Sequence, residues 1–423
     1  MRVEGENRRF FSSEVIKFLE EKKKKLMPEV NIGTVGHVDH GKTSLVHTLT
    51  GKWTDTHSEE IKRGITIRLG YADCTFYYCE KCKSYSSSGK CPKCFEDCVA
   101  VRAVSFVDAP GHEALMATVL SGASLMDGAL LLIAANEECP QLQTAEHLKV
   151  LDIVGIKNIV IVQNKIDLVS EEEALRNYNQ IKAFVKGTVA ENAPVIPISA
   201  IHSANIDLLI AAIQEKIPTP KRNLDADPRF FIARSFDINK PGTSVEKLKG
   251  GVIGGSIISG KIRKNDIIEI RPGIKIDEKW TPLESRVVEI VQSGERIEEA
   301  TPGGLVALQT ELDPAITRGD GLAGNIAGLK DKLPQVKDEL NLKLELFDYI
   351  IGVSGNQKVD PIKTGDVLML TAAIAKSVGV VTSAGKTCML KLKLPVCAEK
   401  NDKVALSKQI SGRWHLIGYG IAI

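Results

Sequence analysis

Gly36-His37-Val38-Asp39-His40-Gly41-Lys42-Thr43 reads as G-x4-G-K-T, placed after the apolar run Val30–Val35 and before a helical stretch. Glycines let the backbone curl so that successive N–H groups point at phosphate oxygens, and the following helix adds its positive N-terminal end. Lys42 would reach the β- and γ-phosphates, the Thr43 hydroxyl would ligate magnesium, and Gly36, Asp39, His40, Gly41 and Ser44 complete the candidate loop. A loop of this kind at a strand-to-helix junction predicts an α/β nucleotide-binding domain.

Working outward, other short apolar runs recur at Val104–Val107, Leu130–Ala134, Ile159–Gln163 and Val195–Ile198. Each is nearly continuous, as expected for parallel strands buried on both faces. Helical stretches lie between them at Leu115–Met126, Thr144–Ile153 and Glu172–Val185. Three motifs follow these strands. Asp108-Ala109-Pro110-Gly111-His112 places a carboxylate where it can hold magnesium through water. Asn164-Lys165-Ile166-Asp167 offers Asp167 to the N1–H and 2-amino groups of guanine, a pairing adenine cannot make. Ser199-Ala200-Ile201 can present a backbone N–H to guanine O6. All fall at the carboxyl ends of predicted parallel strands, where such sheets bind ligands.

Thr66, in Arg63-Gly64-Ile65-Thr66-Ile67, lies between the phosphate loop and the Asp108 strand, and its hydroxyl can complete a magnesium shell while a γ-phosphate is present. Losing that contact after hydrolysis would release the segment. His112 is the candidate for orienting the attacking water. No arginine finger is evident, so unassisted hydrolysis is expected to be slow.

Cys79-x2-Cys82, eight residues, then Cys91-x2-Cys94 has the spacing of a four-thiolate zinc knuckle within 74–98, with Ser86-Ser87-Ser88-Gly89 as loop material. Four protein ligands leave no open position, so this zinc is expected to be structural. Cys74 and Cys98 flank the set and could serve as spare ligands, but read better as packing residues.

The 423 residues exceed one compact core. We expect an N-terminal extension over 1–27, a nucleotide-binding domain over 28–220 ended by Ile217-Pro218-Thr219-Pro220, and two antiparallel β-barrels over 221–332 and 333–423. Glycines 250, 251, 254, 255 and 260 mark turns or bulges in the first barrel. Alternation at Leu340, Leu342, Leu344 and Leu346 marks the second. Ser12 to Lys25 reads as a short amphipathic helix. With 55 basic and 53 acidic residues the net charge is +2, which excludes binding to nucleic acid by overall charge alone. No secretory signal and no membrane span is expected, and nine cysteines outside a secretory context point to a reducing, cytoplasmic location.

The phosphate loop, the 63–67 segment and Asp108-Ala109-Pro110-Gly111-His112 resemble those of the translational GTPases. The knuckle, Lys240-Pro241-Gly242, Leu248-Lys249-Gly250-Gly251-Val252-Ile253-Gly254-Gly255-Ser256 and the ending Gly412-Arg413-Trp414-His415-Leu416-Ile417-Gly418 are similar to the gamma-subunit family of archaeal and eukaryotic translation initiation factor 2. Val38-Asp39-His40 and Ala109 match the archaeal pattern, whereas Pro395-Val396-Cys397 looks closer to the eukaryotic one. The resemblance implies a GTPase in a heterotrimer with alpha and beta subunits, carrying methionylated initiator tRNA to the small ribosomal subunit. It also implies a second magnesium near Asp39 and the Gly64 backbone. Lys240, Lys247, Lys249, Lys261, Arg263 and Lys264 could contact phosphates.

Two rivals share part of these features. An elongation-factor-type carrier of general or selenocysteinyl tRNA has the same domain plan, against which the knuckle and the barrel glycines argue. An RNA-binding module holding a purely structural nucleotide would not exchange GDP, and would bind RNA equally in both nucleotide states.

Overall fold

The computed structural model describes residues 25–54, 60, 66–112, 115–351 and 357–423. Most of the Ser12–Lys25 segment, and Gly64, lie outside them.

A seven-stranded sheet forms the first unit, from β1 (Asn31–Gly36), β2 (Gly70–Cys79), β3 (Ser84–Ser86), β4 (Val99–Asp108), β5 (Gly128–Ala134), β6 (Ile159–Asn164) and β7 (Val195–Pro197). Its order is β3-β2-β4-β1-β5-β6-β7, with β4, β1, β5, β6 and β7 parallel and β2 antiparallel on β4. The chain runs to one side of β1 for β4 and to the other for β5, so the order reverses there and opens a crevice at its carboxyl end.

Helices α1 (Lys42–Thr50), α2 (Met116–Ala123), α3 (Leu142–Val154), α4 (Glu171–Val185) and α5 (Ile206–Lys216) cover the two faces. Alternate residues of each central strand feed opposite cores. Leu130, Leu132, Val160 and Val162 join Leu45, Leu49 and Leu209 on one face; Leu131, Ile133 and Ile161 join Met116, Val119 and Leu148 on the other. Burying each such side chain contributes about 1.5–3 kcal/mol, and burial on both faces explains why the strands read as unbroken apolar runs. α4 starts on a capping box, with Ser170 accepting from the Glu173 N–H and the Glu173 carboxylate accepting from the Ser170 N–H.

The rest is two closed barrels. In the first, six strands close the ring: β8 (Arg229–Phe236), β9 (Val252–Ser259), β11 (Ile267–Ile276), β12 (Lys279–Gln292), β15 (Val306–Thr310) and β16 (Ile326–Leu329). β13 (Glu295–Ile297) is appended to β12, and β10 (Ile262–Arg263) pairs with β14 (Glu299–Ala300). The second closes β17 (Val336–Leu346), β18 (Val367–Ala372), β19 (Ala375–Ser383), β20 (Thr387–Cys397), β21 (Lys403–Ile410) and β22 (Arg413–Ala422). Closure pairs every strand of each ring on both edges. Specific bonds seat both barrels on the sheet unit: the Asn31 amide donates to Ser256 Oγ at 2.9 Å, and the Ser121 hydroxyl to the Ile374 carbonyl at 2.9 Å.

Candidate nucleotide and metal sites

A cleft of about 460 Å³ opens at the carboxyl end of β1, within the range of small-molecule sites. Its lining brings together Asp39, Gly41, Lys42, Thr43, Ser44, Thr66, His112, Asn164, Lys165, Asp167, Ala200 and Ile201, which the sequence scatters over more than a third of the chain. Gly36, His40, Asp108 and Ser199 stand behind this lining.

Two glycines shape the loop. At Gly41, φ is 88° and an added Cβ would lie 2.3 Å from Asn164 Nδ2, so both backbone and packing require glycine. At Gly36, φ is 141° and a Cβ would lie 2.4 Å from the Leu132 carbonyl oxygen. Lys42 folds over the loop, its ammonium donating to the carbonyls of Gly36 at 3.1 Å and His37 at 2.6 Å. The His40 ring turns away from the cleft: Nδ1 lies 3.0 Å from the Leu132 carbonyl oxygen and Nε2 3.3 Å from Glu137 Oε2. What His40 offers the loop is its backbone.

Asp108 is wholly buried and accepts three hydroxyls, from Thr34 at 2.7 Å, Thr43 at 2.8 Å and Thr54 at 2.7 Å. Thr43 Oγ1 and Thr66 Oγ1 are 3.1 Å apart. A carboxylate and two hydroxyls converging in this way are an oxygen-only donor set that suits magnesium, a hard cation that keeps several waters. Asp39, exposed at φ 58°, borders the same cleft.

The opposite side of the cleft is held by Asn164, whose Nδ2 donates to the His40 carbonyl at 2.9 Å while its Oδ1 accepts from the Ala200 N–H at 3.0 Å. Lys165 follows in a left-handed conformation at φ 64° and swings Asp167 to the cleft. The Ser199 hydroxyl beside Asp167 holds its carboxyl below the usual carboxylate range. Asp167 is therefore an acceptor on both oxygens at neutral pH, the character needed to take two donors from guanine.

The structure adds residues that the motif reading missed. Trp53 lines the cleft, stacks on His47 with centroids 4.1 Å apart, and is 58% exposed. An exposed aromatic just after the helix of a phosphate loop was the available signal. Thr54 had none, because its bond to Asp108 exists only in three dimensions.

At the far end of β2 and β4, one Sγ from each of Cys79, Cys82, Cys91 and Cys94 lies within 4.8 Å of the others, and the Cys79 and Cys94 sulfurs are 3.6 Å apart. Tetrahedral zinc with bonds of about 2.3 Å separates sulfurs by about 3.8 Å, so the cluster fits such an ion. The Lys93 ammonium bonds Asp207 at the start of α5 at 2.6 Å, fastening the knuckle to the sheet unit.

The G-x4-G-K-T loop at the end of β1, the N-K-x-D motif after β6 and two closed barrels have the arrangement of a GTPase of the translational class. A family model described as Elongation factor Tu GTP binding domain matches residues 27–219, and one described as Initiation factor eIF2 gamma, C terminal, matches residues 338–422. The chain is 56% identical over 404 residues to translation initiation factor 2 subunit gamma of Methanocaldococcus jannaschii, covering 94% of this chain and 98% of that one. It is 56% identical over 406 residues to the Pyrococcus abyssi subunit, covering 95% and 99%. In fold it resembles a bacterial selenocysteine-specific elongation factor at a TM-score of 0.71 and 25% identity, over 94% of this chain and 58% of the other. Elongation factor SelB of Methanococcus maripaludis gives 0.69 and 22% identity, over 94% and 80%. The chain belongs to the family of translation initiation factor 2 gamma subunits. It is a GTPase and a subunit of a translation initiation factor. Among the described residues no helix is long and apolar enough to cross a membrane.

Proposed function

We propose that this chain carries methionylated initiator tRNA to the small ribosomal subunit in the cytoplasm, in complex with alpha and beta subunits, and that hydrolysis of GTP is the release switch. The observation that carries this reading is likeness to archaeal gamma subunits over nearly the whole chain.

In this reading the loop from Gly36 to Ser44 cradles the phosphates, with Lys42 on the β- and γ-phosphates. Thr43 and Thr66 hold magnesium and Asp108 reaches it through water; the metal neutralises phosphate charge. Asp39, with the Gly64 backbone, is the candidate for a second magnesium. Asp167 selects guanine, and the backbone after Ser199, at Ala200 and Ile201, takes O6. His112, at the phosphate end of the cleft, orients the attacking water. Cys79, Cys82, Cys91 and Cys94 hold a structural zinc.

For tRNA phosphates the 240–249 loop is better placed than the 261–264 turn. Lys261 and Arg263 pair with Glu299, and Lys264 with Glu298. Lys240, Lys247 and Lys249 are exposed beside exposed Val245 and Leu248. Reconstitution with alpha and beta subunits tests the reading. Codon-dependent transfer of initiator tRNA to small subunits with GTP, and its loss with GDP, is expected. Equal delivery in both nucleotide states would contradict it.

A further inference from the structure

The imidazole of His147, on α3, is fully buried behind the phosphate loop and does not line the cleft. We propose that His147 is a positioning residue for nucleotide binding: its Nδ1 fixes the amide of Gly36 and, through that residue, the anchor of Lys42. The proposal rests on the reading that the 36–43 loop holds nucleotide phosphates.

Gly36 is the residue where β1 becomes the loop. Its N–H donates to His147 Nδ1 at 2.8 Å, and its carbonyl accepts the Lys42 ammonium at 3.1 Å. One peptide unit further on, the His37 carbonyl takes the same ammonium at 2.6 Å. Gly36 is thus held on its N–H side by the histidine and in turn holds the lysine that would reach the phosphates. Gly36 ends β1 in register with Leu132 of β5, and at this last strand residue, with φ at 141°, the histidine supplies the acceptor for its amide.

The histidine is poorly explained by stability alone. Burial, with Lys42, His37 and His40 close by, pushes its pKa down to about 3, so the ring is neutral. A neutral ring that accepts at Nδ1 carries its proton on Nε2. That Nε2 is buried and reaches no hydrogen-bond partner among the described residues. An unmet buried donor is destabilising, and an apolar residue of similar size would avoid it. The position tolerates this unmet donor while the ring supplies an acceptor to one loop amide, so the acceptor is the feature that matters.

Three full-length variants test it. Asparagine places its Oδ1 close to where Nδ1 sits, glutamine carries its amide one bond further out, and leucine has no acceptor. Dissociation of a fluorescent GDP analogue is followed by stopped flow for each. His147→Leu and His147→Gln are expected to release nucleotide about tenfold faster or more, the loss of one buried hydrogen bond, and His147→Asn to stay within about threefold of the natural chain. A histidine that only fills space predicts that asparagine and glutamine behave alike, and that result would overturn the proposal. If the leucine variant does not fold, the contrast between the two amides decides. A natural chain that fails to bind the analogue would instead refute the nucleotide reading itself.

Discussion

The side-chain amide of Asn164 donates to the backbone carbonyl of His40 at 2.9 Å, tying the end of β6 to the phosphate loop across the cleft. Because Asn164 Oδ1 also accepts from the Ala200 N–H, one buried residue fixes the 36–44 loop and the 199–201 segment relative to each other. The motif residue Asn164 acts as a strut, while Asp167, three residues on, lines the cleft.

Asn164→Ala removes both bonds and leaves the His40 carbonyl and the Ala200 amide without this partner. We expect GDP dissociation to quicken about tenfold to a hundredfold, from two lost hydrogen bonds of about 1 kcal/mol or more each. Stopped-flow release of a labelled GDP checks this, and unchanged release would show that the strut is dispensable.

Asp167→Asn converts a double acceptor into a group with one acceptor, which still takes the N1–H, and one donor that opposes the guanine 2-amino group. GTP affinity should fall by about a hundredfold or more, while xanthosine triphosphate, whose ring offers the complementary pattern, should gain. Competition binding with the two nucleotides reads both changes at once.

Cys91→Ser removes one of four converging thiols. Bound zinc should drop from one per chain to near zero by elemental analysis, and thermal unfolding of the knuckle should come earlier. The Lys93–Asp207 bond, which relies on the knuckle's shape, should loosen with it. Full zinc retention in the variant would mean that the four sulfurs do not act as one site.

Acid should destabilise this fold through the buried imidazoles of His40 and His147 and the half-buried His37. Burial is the largest cause of the lowered pKa of His37, His40 and His147, the last to about 3. Below about pH 6.5 the unfolded chain binds protons that these folded rings refuse, so the unfolded state gains protons and stability falls as pH falls. For His147 alone the loss between pH 7 and pH 5 is about 2 kcal/mol. Denaturant melts at the two pH values should show a smaller loss in His147→Asn than in the natural chain.

The α/β architecture is legible in the sequence because its central strands are buried on both faces, so Leu130–Ala134 and Ile159–Gln163 stand out as unbroken apolar runs. β2 is harder to read. It mixes Tyr71, Asp73, Thr75 and Tyr77 with buried Ala72, Cys74 and Phe76, and its role is to carry the knuckle away from the sheet. α5 begins after Asn205, a residue type favoured at helix N-caps, yet Asn205 is left-handed there and makes no side-chain cap. Barrel closure depends on pairings such as Ile268 with Ser285, set by register and not by local pattern. Within the site, residues in short motifs could be found because loop chemistry constrains their spacing. Thr54 and His147 could not, because each meets its partner only after the chain has folded.

The central claim is a GTP-gated choice of tRNA. The most direct measurement is equilibrium binding of initiator and elongator methionyl-tRNA to the chain assembled with alpha and beta subunits, with GTP or with GDP. The account predicts at least about tenfold tighter binding of initiator tRNA with GTP than with GDP, and a clear preference over elongator tRNA. Equal affinity for the two tRNAs, or equal affinity in the two nucleotide states, would contradict it.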